Sequence, residues 1–200
     1  SRPTLAYIMD PRFRGGTSSS FVAELPVTAA MARIAVYALS GGMLDGRAVS
    51  PAVDAVLVEQ GLKIVWDAPT VGADIVVLHN PVFLTATVAL PRIIARDLVV
   101  VAHENFLRPG GHPAFDIEGT LGRIARGGFA LRRWIAPVSG WNRRTVQDWL
   151  EATPDADGWR LAPEDWTNIV MGPMLVPTTT PRDRRGRHSR ESLAKFPDAT

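Results

Sequence analysis

Residues 4–32 read TLAYIM, DPRFRGGTSSS and FVAELPVTAAMA: an apolar strand-like run, a polar loop with two adjacent glycines, and a helix-like segment. Strand, glycine loop and helix start form an anion-binding arrangement. A helix N-terminus exposes backbone N–H groups that lack an intrahelical partner, and it carries the positive end of the macrodipole. Gly15 and Gly16 have no Cβ to hold a phosphate at a distance, and Thr17 to Ser20 offer hydroxyls for capping or for a ligand. The loop is neither G-x-G-x-x-G nor G-x-x-x-x-G-K-[ST], since no lysine follows the glycines. A plain tight turn with capping serines is the alternative use of the same residues. Pro26 lies inside the helical segment and predicts a kink or a late start.

Beyond this unit, short apolar runs recur: ARIAVYAL (32–39), LKIVW (62–66), ADIVVL (73–78), LVVVA (98–102) and WIAPVS (134–139). They do not alternate polar with apolar, so both faces are expected to be buried, as in parallel strands covered by helices. Between them, Ser50-Pro51 and the following AVDAVLVEQG predict a helix with Pro51 in its first position and Gly61 as its stop. Residues 83–95 read as a second helix interrupted by Pro91, and 141–150 as a third with Trp141, Thr145 and Trp149 on one face. The alternation predicts an α/β fold: a three-layer Rossmann-like domain with a mainly parallel sheet and helices on both faces. It spans residues 1–172, and residues 173–200 read as a linker and the start of a further, truncated domain, because PMLVPTTTPRDRRGRHSR is rich in proline, threonine and arginine.

Composition narrows the classes. The chain has 200 residues, 46% apolar and 21% charged, as in a soluble globular protein. No apolar run approaches the roughly 20 residues of a membrane span, and no signal-peptide pattern opens the chain. The absence of cysteine excludes disulfides and thiol catalysis. The net charge of +2 comes from residues 182–190, whose five arginines and one aspartate carry +4 and leave −2 elsewhere. The body is therefore not basic, and nucleic acid is not an expected partner.

In an open parallel sheet, ligands bind beyond the carboxyl ends of the strands. Polar clusters follow four of the runs: residues 10–20, His79-Asn80, His103-Glu104-Asn105, and Ser139 to Asn142. His103 is the best single candidate for proton or hydrogen-bond exchange near neutral pH, with Glu104 either orienting it or simply solvated. A loop hydrogen bond is the plain alternative for His103, and a turn at Asn80-Pro81 for His79. Residues 106–129 contain six glycines and two prolines, a loop able to close over a ligand and present Arg108 and His112, or an irregular connection around one short helix at Ile117, Leu121 and Ile124. Arg143 and Arg144 open a helix, where a guanidinium can meet a phosphate or carboxylate, with a solvated helix face as the plain alternative. His79, His103, His112, Glu104 and Asp116 lack metal-ligand spacing, and Ser139-Gly140 is not a G-x-S-x-G elbow, so neither a metal site nor serine hydrolysis is expected.

Taken together, RGGT (14–17), ADIVVLHNP (73–81), LVVVAHENF (98–106), APVSGWNRRTVQDWL (136–150), NIVMGPML (168–175) and GRHSRESLAKFPD (186–198) resemble the N-terminal half of a family 4 glycosyltransferase of the GT-B architecture. The resemblance implies a retaining transferase of two Rossmann-like halves, with acceptor held mainly by this one and nucleotide-sugar by the other. It implies contact of Gly15, Gly16 and Thr17 with the donor diphosphate, and a catalytic place for His103 beside the transferred sugar. The acceptor contacts expected are Arg14, His79, Asn80, Glu104, Asn105, Arg108 and Arg143. No cofactor or metal is implied; a UDP- or GDP-sugar is the expected donor substrate. The expected partners are the second domain and a saccharide or glycolipid acceptor, in the cytoplasm with peripheral membrane contact, in polysaccharide biosynthesis. Departures are the interrupting Pro26 and the absence of the family's pair of glutamates in the second half. The alternatives are a non-catalytic binding domain and an NAD-dependent oxidoreductase or epimerase, although the latter calls for an acidic end to the second strand, which here reads ALSGG.

Overall fold

The computed structural model describes residues 2–85 and 89–169, so the expected boundary at 172 and the segment 173–200 lie outside the described residues. In chain order the elements are β1 (Thr4–Ile8), α1 (Gly16–Met31), β2 (Arg33–Ala38), α2 (Pro51–Glu59), β3 (Ile64–Trp66), β4 (Thr70–His79), a 3-10 turn (Pro81–Thr85), β5 (Arg92–Ala102), α3 (Ile117–Arg126), β6 (Phe129–Pro137), α4 (Gly140–Ala152) and β7 (Trp159–Leu161). The seven strands form one sheet in the order β3-β2-β1-β4-β5-β6-β7, and every pair is parallel. The α/β, three-layer reading is correct, and the sheet is parallel throughout.

Each face of the sheet is covered because its residues and those of the helices are apolar. On one face, Tyr7 and Met9 pack with Phe21 and Leu25 of α1 and Val53 and Leu57 of α2. On the other, Ile8, Leu78 and Val100 pack with Leu121 and Ile124 of α3 and Val146 and Trp149 of α4. Full burial of one such large side chain contributes about 1.5–3 kcal/mol. The helix boundaries follow local chemistry. Pro51 opens α2, and Gly61 ends it with φ 67°, Leu62 N–H donating to the Leu57 carbonyl at 2.8 Å and Gly61 N–H to that of Val58 at 3.0 Å, a Schellman close. Asp116 caps α3 by accepting from Gly119 N–H at 3.0 Å.

Three expectations need correction. The described residues within 83–95 form no α-helix: Pro81–Thr85 is a 3-10 turn and β5 begins at Arg92. The run RIIAR before LVVVA extends the strand instead, pairing with β4 from Thr70↔Arg92 onward. Pro26 does not delay α1, which runs from Gly16 to Met31 and carries Pro26 on its exposed side. Trp141 does not share the packed face of α4; it is 62% exposed, whereas Thr145 and Trp149 are buried.

Candidate functional site

The chain leaves β1 to build β2 and β3 on one side, then returns to place β4 on the other side of β1. Between β1 and β4 the strand order reverses, and their carboxyl ends are where an open α/β sheet binds its ligand. α1 starts there. Its N-cap is Gly15, and no side chain caps it, so the first amides of the helix are left to solvent or to a ligand. The hydroxyls of the loop are otherwise engaged: Ser18 donates to the Phe13 carbonyl, Ser19 to that of Gly15 at 3.2 Å, and Ser20 to Asn168 Oδ1 at 2.9 Å. Thr17 is buried and Gly16 is exposed, with open space where a Cβ would be.

Arg12, buried in the same loop, is a structural cation. It donates to both oxygens of Asp10 at 2.9 and 3.1 Å and to the carbonyls of Leu39 and Gly41 at 3.0 and 2.8 Å, tying the end of β1 to the end of β2. Arg12, Arg14, Arg47 and Ala48 line a cavity of about 260 Å³ beside the glycine loop. Asp45 comes within 3.7 Å of Arg12, and among the described residues neither Arg14 nor Arg47 has an ion-pair partner.

Next to this loop a polar chain runs through the core. His79, the last residue of β4, is 1% exposed, and its Nδ1 lies 2.9 Å from Nε2 of His103, which follows β5. Its Nε2 faces Glu24 Oε2 at 3.6 Å, an electrostatic contact rather than a hydrogen bond, and has no hydrogen-bond partner among the described residues. Glu24 projects from α1 and is 6% exposed. Its Oε1 accepts from the Tyr7 hydroxyl at 2.5 Å and its Oε2 from the Trp166 indole N–H at 2.9 Å. Tyr7, Phe21, His103 and Trp166 surround the His79 ring at centroid distances of 5.3–6.2 Å, His103 being nearest at 5.3 Å.

The electrostatics follow from this packing. Burial opposes ionisation of Glu24, but the His79 ring beside it and the hydrogen bonds from Tyr7 and Trp166 outweigh it and hold the carboxyl below its ordinary value. Burial first, and the adjacent carboxylate second, push the Tyr7 phenol up. Burial, together with the neighbouring His79, lowers His103 to about 4, so its imidazole is neutral at pH 7. His103 is partly exposed, and its Nδ1 has no partner among the described residues. A neutral imidazole at the rim of the sheet, fastened from below, can exchange a hydrogen bond with a bound molecule.

The other expected site residues divide. Asn80 has φ 56°, and its Oδ1 is buried without a partner among the described residues. Glu104 does not orient His103, whose ring partner is His79; it is exposed, and its backbone carbonyl accepts from Asn142 Nδ2 at 2.9 Å. Asn105 is exposed and receives the same amide at 3.2 Å. Arg108 sits in a small hairpin closed by Leu107↔Pro113, exposed, with its guanidinium donating to the Ala114 carbonyl at 3.4 Å. Arg143 is occupied: it donates to Asp165 at 2.6 Å and to the Ala162 carbonyl at 3.0 Å, which fixes the segment after β7. The structure therefore brings Gly15, Gly16, Thr17, Arg14, His79 and His103 to one switch point and turns Arg143 to structural use. Among the described residues, no group of three or more His, Asp or Glu side chains could hold a metal.

Sequence reasoning missed Glu24, Tyr7 and Trp166. A signal for Glu24 was present: it shares a helical face with Phe21 and Leu25 at i, i+3, i+4 spacing, the face that goes into the core. A separate cavity of about 300 Å³ between α3, the end of α4 and β7, lined by Trp149, Trp159, Arg126 and Asp157 among others, contains none of the expected site residues. No protein-family model matches this chain, and neither a curated protein nor a solved structure matches it.

Proposed function

We infer that this domain is the N-terminal, acceptor-binding half of a retaining glycosyltransferase, moving a sugar from a UDP- or GDP-sugar to a saccharide or glycolipid acceptor. The observation that carries the reading is the pairing, at one strand-order reversal, of an uncapped helix start at Gly15-Gly16 with a neutral, partly exposed His103 held from below. Preorganised backbone N–H groups suit a leaving diphosphate, whose charge grows in the transition state. His103 then contacts the transferred sugar, and the unpaired Arg14 and Arg47 suit an anionic group of the acceptor. The donor nucleotide belongs to a second domain, so this chain by itself is inactive. A cytoplasmic place at the membrane face belongs to the same reading; no helix among the described residues is long and apolar enough to cross a membrane.

The strand order also suits a dinucleotide-dependent oxidoreductase. Against it, β2 ends at Ala38 and is followed by Leu39-Ser40 with no acid to hold a ribose, and the loop lacks G-x-G-x-x-G. Calorimetric and NMR titration separates the two. The expected result is weak binding of UDP-glucose or GDP-mannose, with amide shifts at Gly15 to Thr17 and at His103, and no thermal stabilisation by NAD. Tight nucleotide-sugar binding by this chain alone, or NAD stabilisation, overturns the reading.

A further inference from the structure

We propose that the buried Glu24–His79 pair holds His103 in the tautomer protonated at Nε2, so that the Nδ1 it offers to the cleft is a bare hydrogen-bond acceptor. Glu24 Oε2 already accepts from Trp166, whose indole can only donate, and Oε1 accepts from Tyr7. An ionised carboxylate has no proton to give, so any hydrogen of His79 facing it sits on Nε2. The 3.6 Å separation is far longer than the roughly 2.7–2.9 Å of a charge-assisted bond, which speaks for a neutral ring rather than an imidazolium clamped on Glu24. A neutral His79 protonated at Nε2 has a lone pair at Nδ1. The 2.9 Å contact to His103 Nε2 then needs its proton from His103. His103, neutral and protonated at Nε2, is left with a lone pair at Nδ1.

This assigns chemistry to the subsite, and that assignment rests on the glycosyltransferase reading only for the identity of the ligand. The group that meets His103 is a hydrogen-bond donor: a sugar hydroxyl or an amine. A phosphate or carboxylate oxygen there faces a lone pair with the Glu24 charge behind it. Anions are directed instead to the start of α1 and to Arg14 and Arg47. Glu24 and His79 are positioning residues, acting through His103.

The test reads nitrogen protonation directly, by long-range 1H–15N correlation spectra of the uniformly 15N-labelled 200-residue chain at pH 7 with no ligand added. Expected are a pyrrole-type Nε2 and a pyridine-type Nδ1 for both His79 and His103. A His103 protonated at Nδ1, averaged tautomers in His103, or His79 protonated at both nitrogens overturns the proposal. Glu24→Ala removes the acceptor and should leave His103 a mixture of tautomers. Glu24→Gln should restore the Nε2–H form, because the Trp166 N–H turns the amide oxygen toward itself and His79. A Glu24→Gln chain that flips His103 to Nδ1–H overturns the donor count; should Glu24→Ala fail to fold, the wild-type and Glu24→Gln spectra decide. Because no sugar enters this experiment, a failed tautomer assignment leaves the functional reading standing, and absent nucleotide-sugar contact at Gly15 to Thr17 leaves the tautomer standing.

Discussion

Replacing Tyr7 by Phe removes one hydroxyl from the core and little else, since the ring and its edge contact with Phe21 at 5.2 Å remain. The hydroxyl donates to Glu24 Oε1 at 2.5 Å and lies 3.1 Å from Thr28 Oγ1. A hydrogen bond to a charged group contributes about 1.5–3 kcal/mol, and the lower part of that range applies because the Trp166 N–H still donates to the same carboxylate. The expected loss at pH 7 is about 1.5–2 kcal/mol. The same loss appears as a rise in the folded-state pKa of Glu24. The sign of the pH dependence follows. Glu24 is held below its unfolded value of 4.5, so its ionised hydrogen bonds stabilise the fold above that pH and are lost as the pH falls through the folded pKa. The stability gap between wild type and Tyr7→Phe therefore narrows at acid pH, toward the roughly 1 kcal/mol of a neutral hydrogen bond. Urea unfolding followed by circular dichroism, from pH 7 down to the lowest pH at which both chains fold, measures it. Equal stability at pH 7, or a gap that does not change with pH, refutes the account of Glu24 as a buried, ionised acceptor.

Burial of His103 makes a second pH signature. Its folded pKa of about 4 lies below the ordinary 6.5, so the wild type loses stability as the pH falls between these values, by at most about 3.5 kcal/mol, and His103→Gln flattens that part of the profile. Asp97 accepts from Arg132 at 2.5 and 2.7 Å, from Arg96 at 2.9 Å and from Trp134 Nε1 at 3.1 Å; burial opposes its charge, but these partners lower it to about 2. The shift sets an upper limit of about 2.5 kcal/mol. Because both arginines are half exposed and screened, Asp97→Asn should cost about 1 kcal/mol at pH 7, with the difference fading as the pH drops from 3.8 toward 2 in thermal melts. Gly128→Ala should destabilise by at least about 2 kcal/mol, because a Cβ there lies 2.1 Å from the Ile93 carbonyl oxygen; an unchanged urea midpoint contradicts the close approach of β5 and the start of β6.

The elements that were legible are those whose signals are local. Pro51 and Gly61 bound α2 because a fixed φ and a positive φ act through their own backbone. The unbroken apolar runs marked strands buried on both faces. The reading failed at 83–95, where RIIAR is compatible with either period and pairing with β4 decides in favour of strand. The candidate site divides along the same line. Gly15, Gly16 and His103 are visible as strand-end residues, but Arg143 looked like a free helix-start cation until Asp165 and the Ala162 carbonyl engaged it. Glu104 stood next to His103 in the chain, yet the partner of His103 comes from 24 residues away.

By itself, then, the order of residues determined an α/β sheet, its helix stops and the strand ends at which polar side chains collect, since these depend on propensity, periodicity and backbone freedom within a few residues. Only the tertiary structure decided that the sheet reverses between β1 and β4, that Glu24 on a helix and His79 on a strand meet beneath His103, and that Trp166 closes the chain from the far end of the domain. A buried carboxylate or imidazole persists only where donors from distant segments converge on it, and that convergence is set by strand order and packing, which no local window of sequence contains.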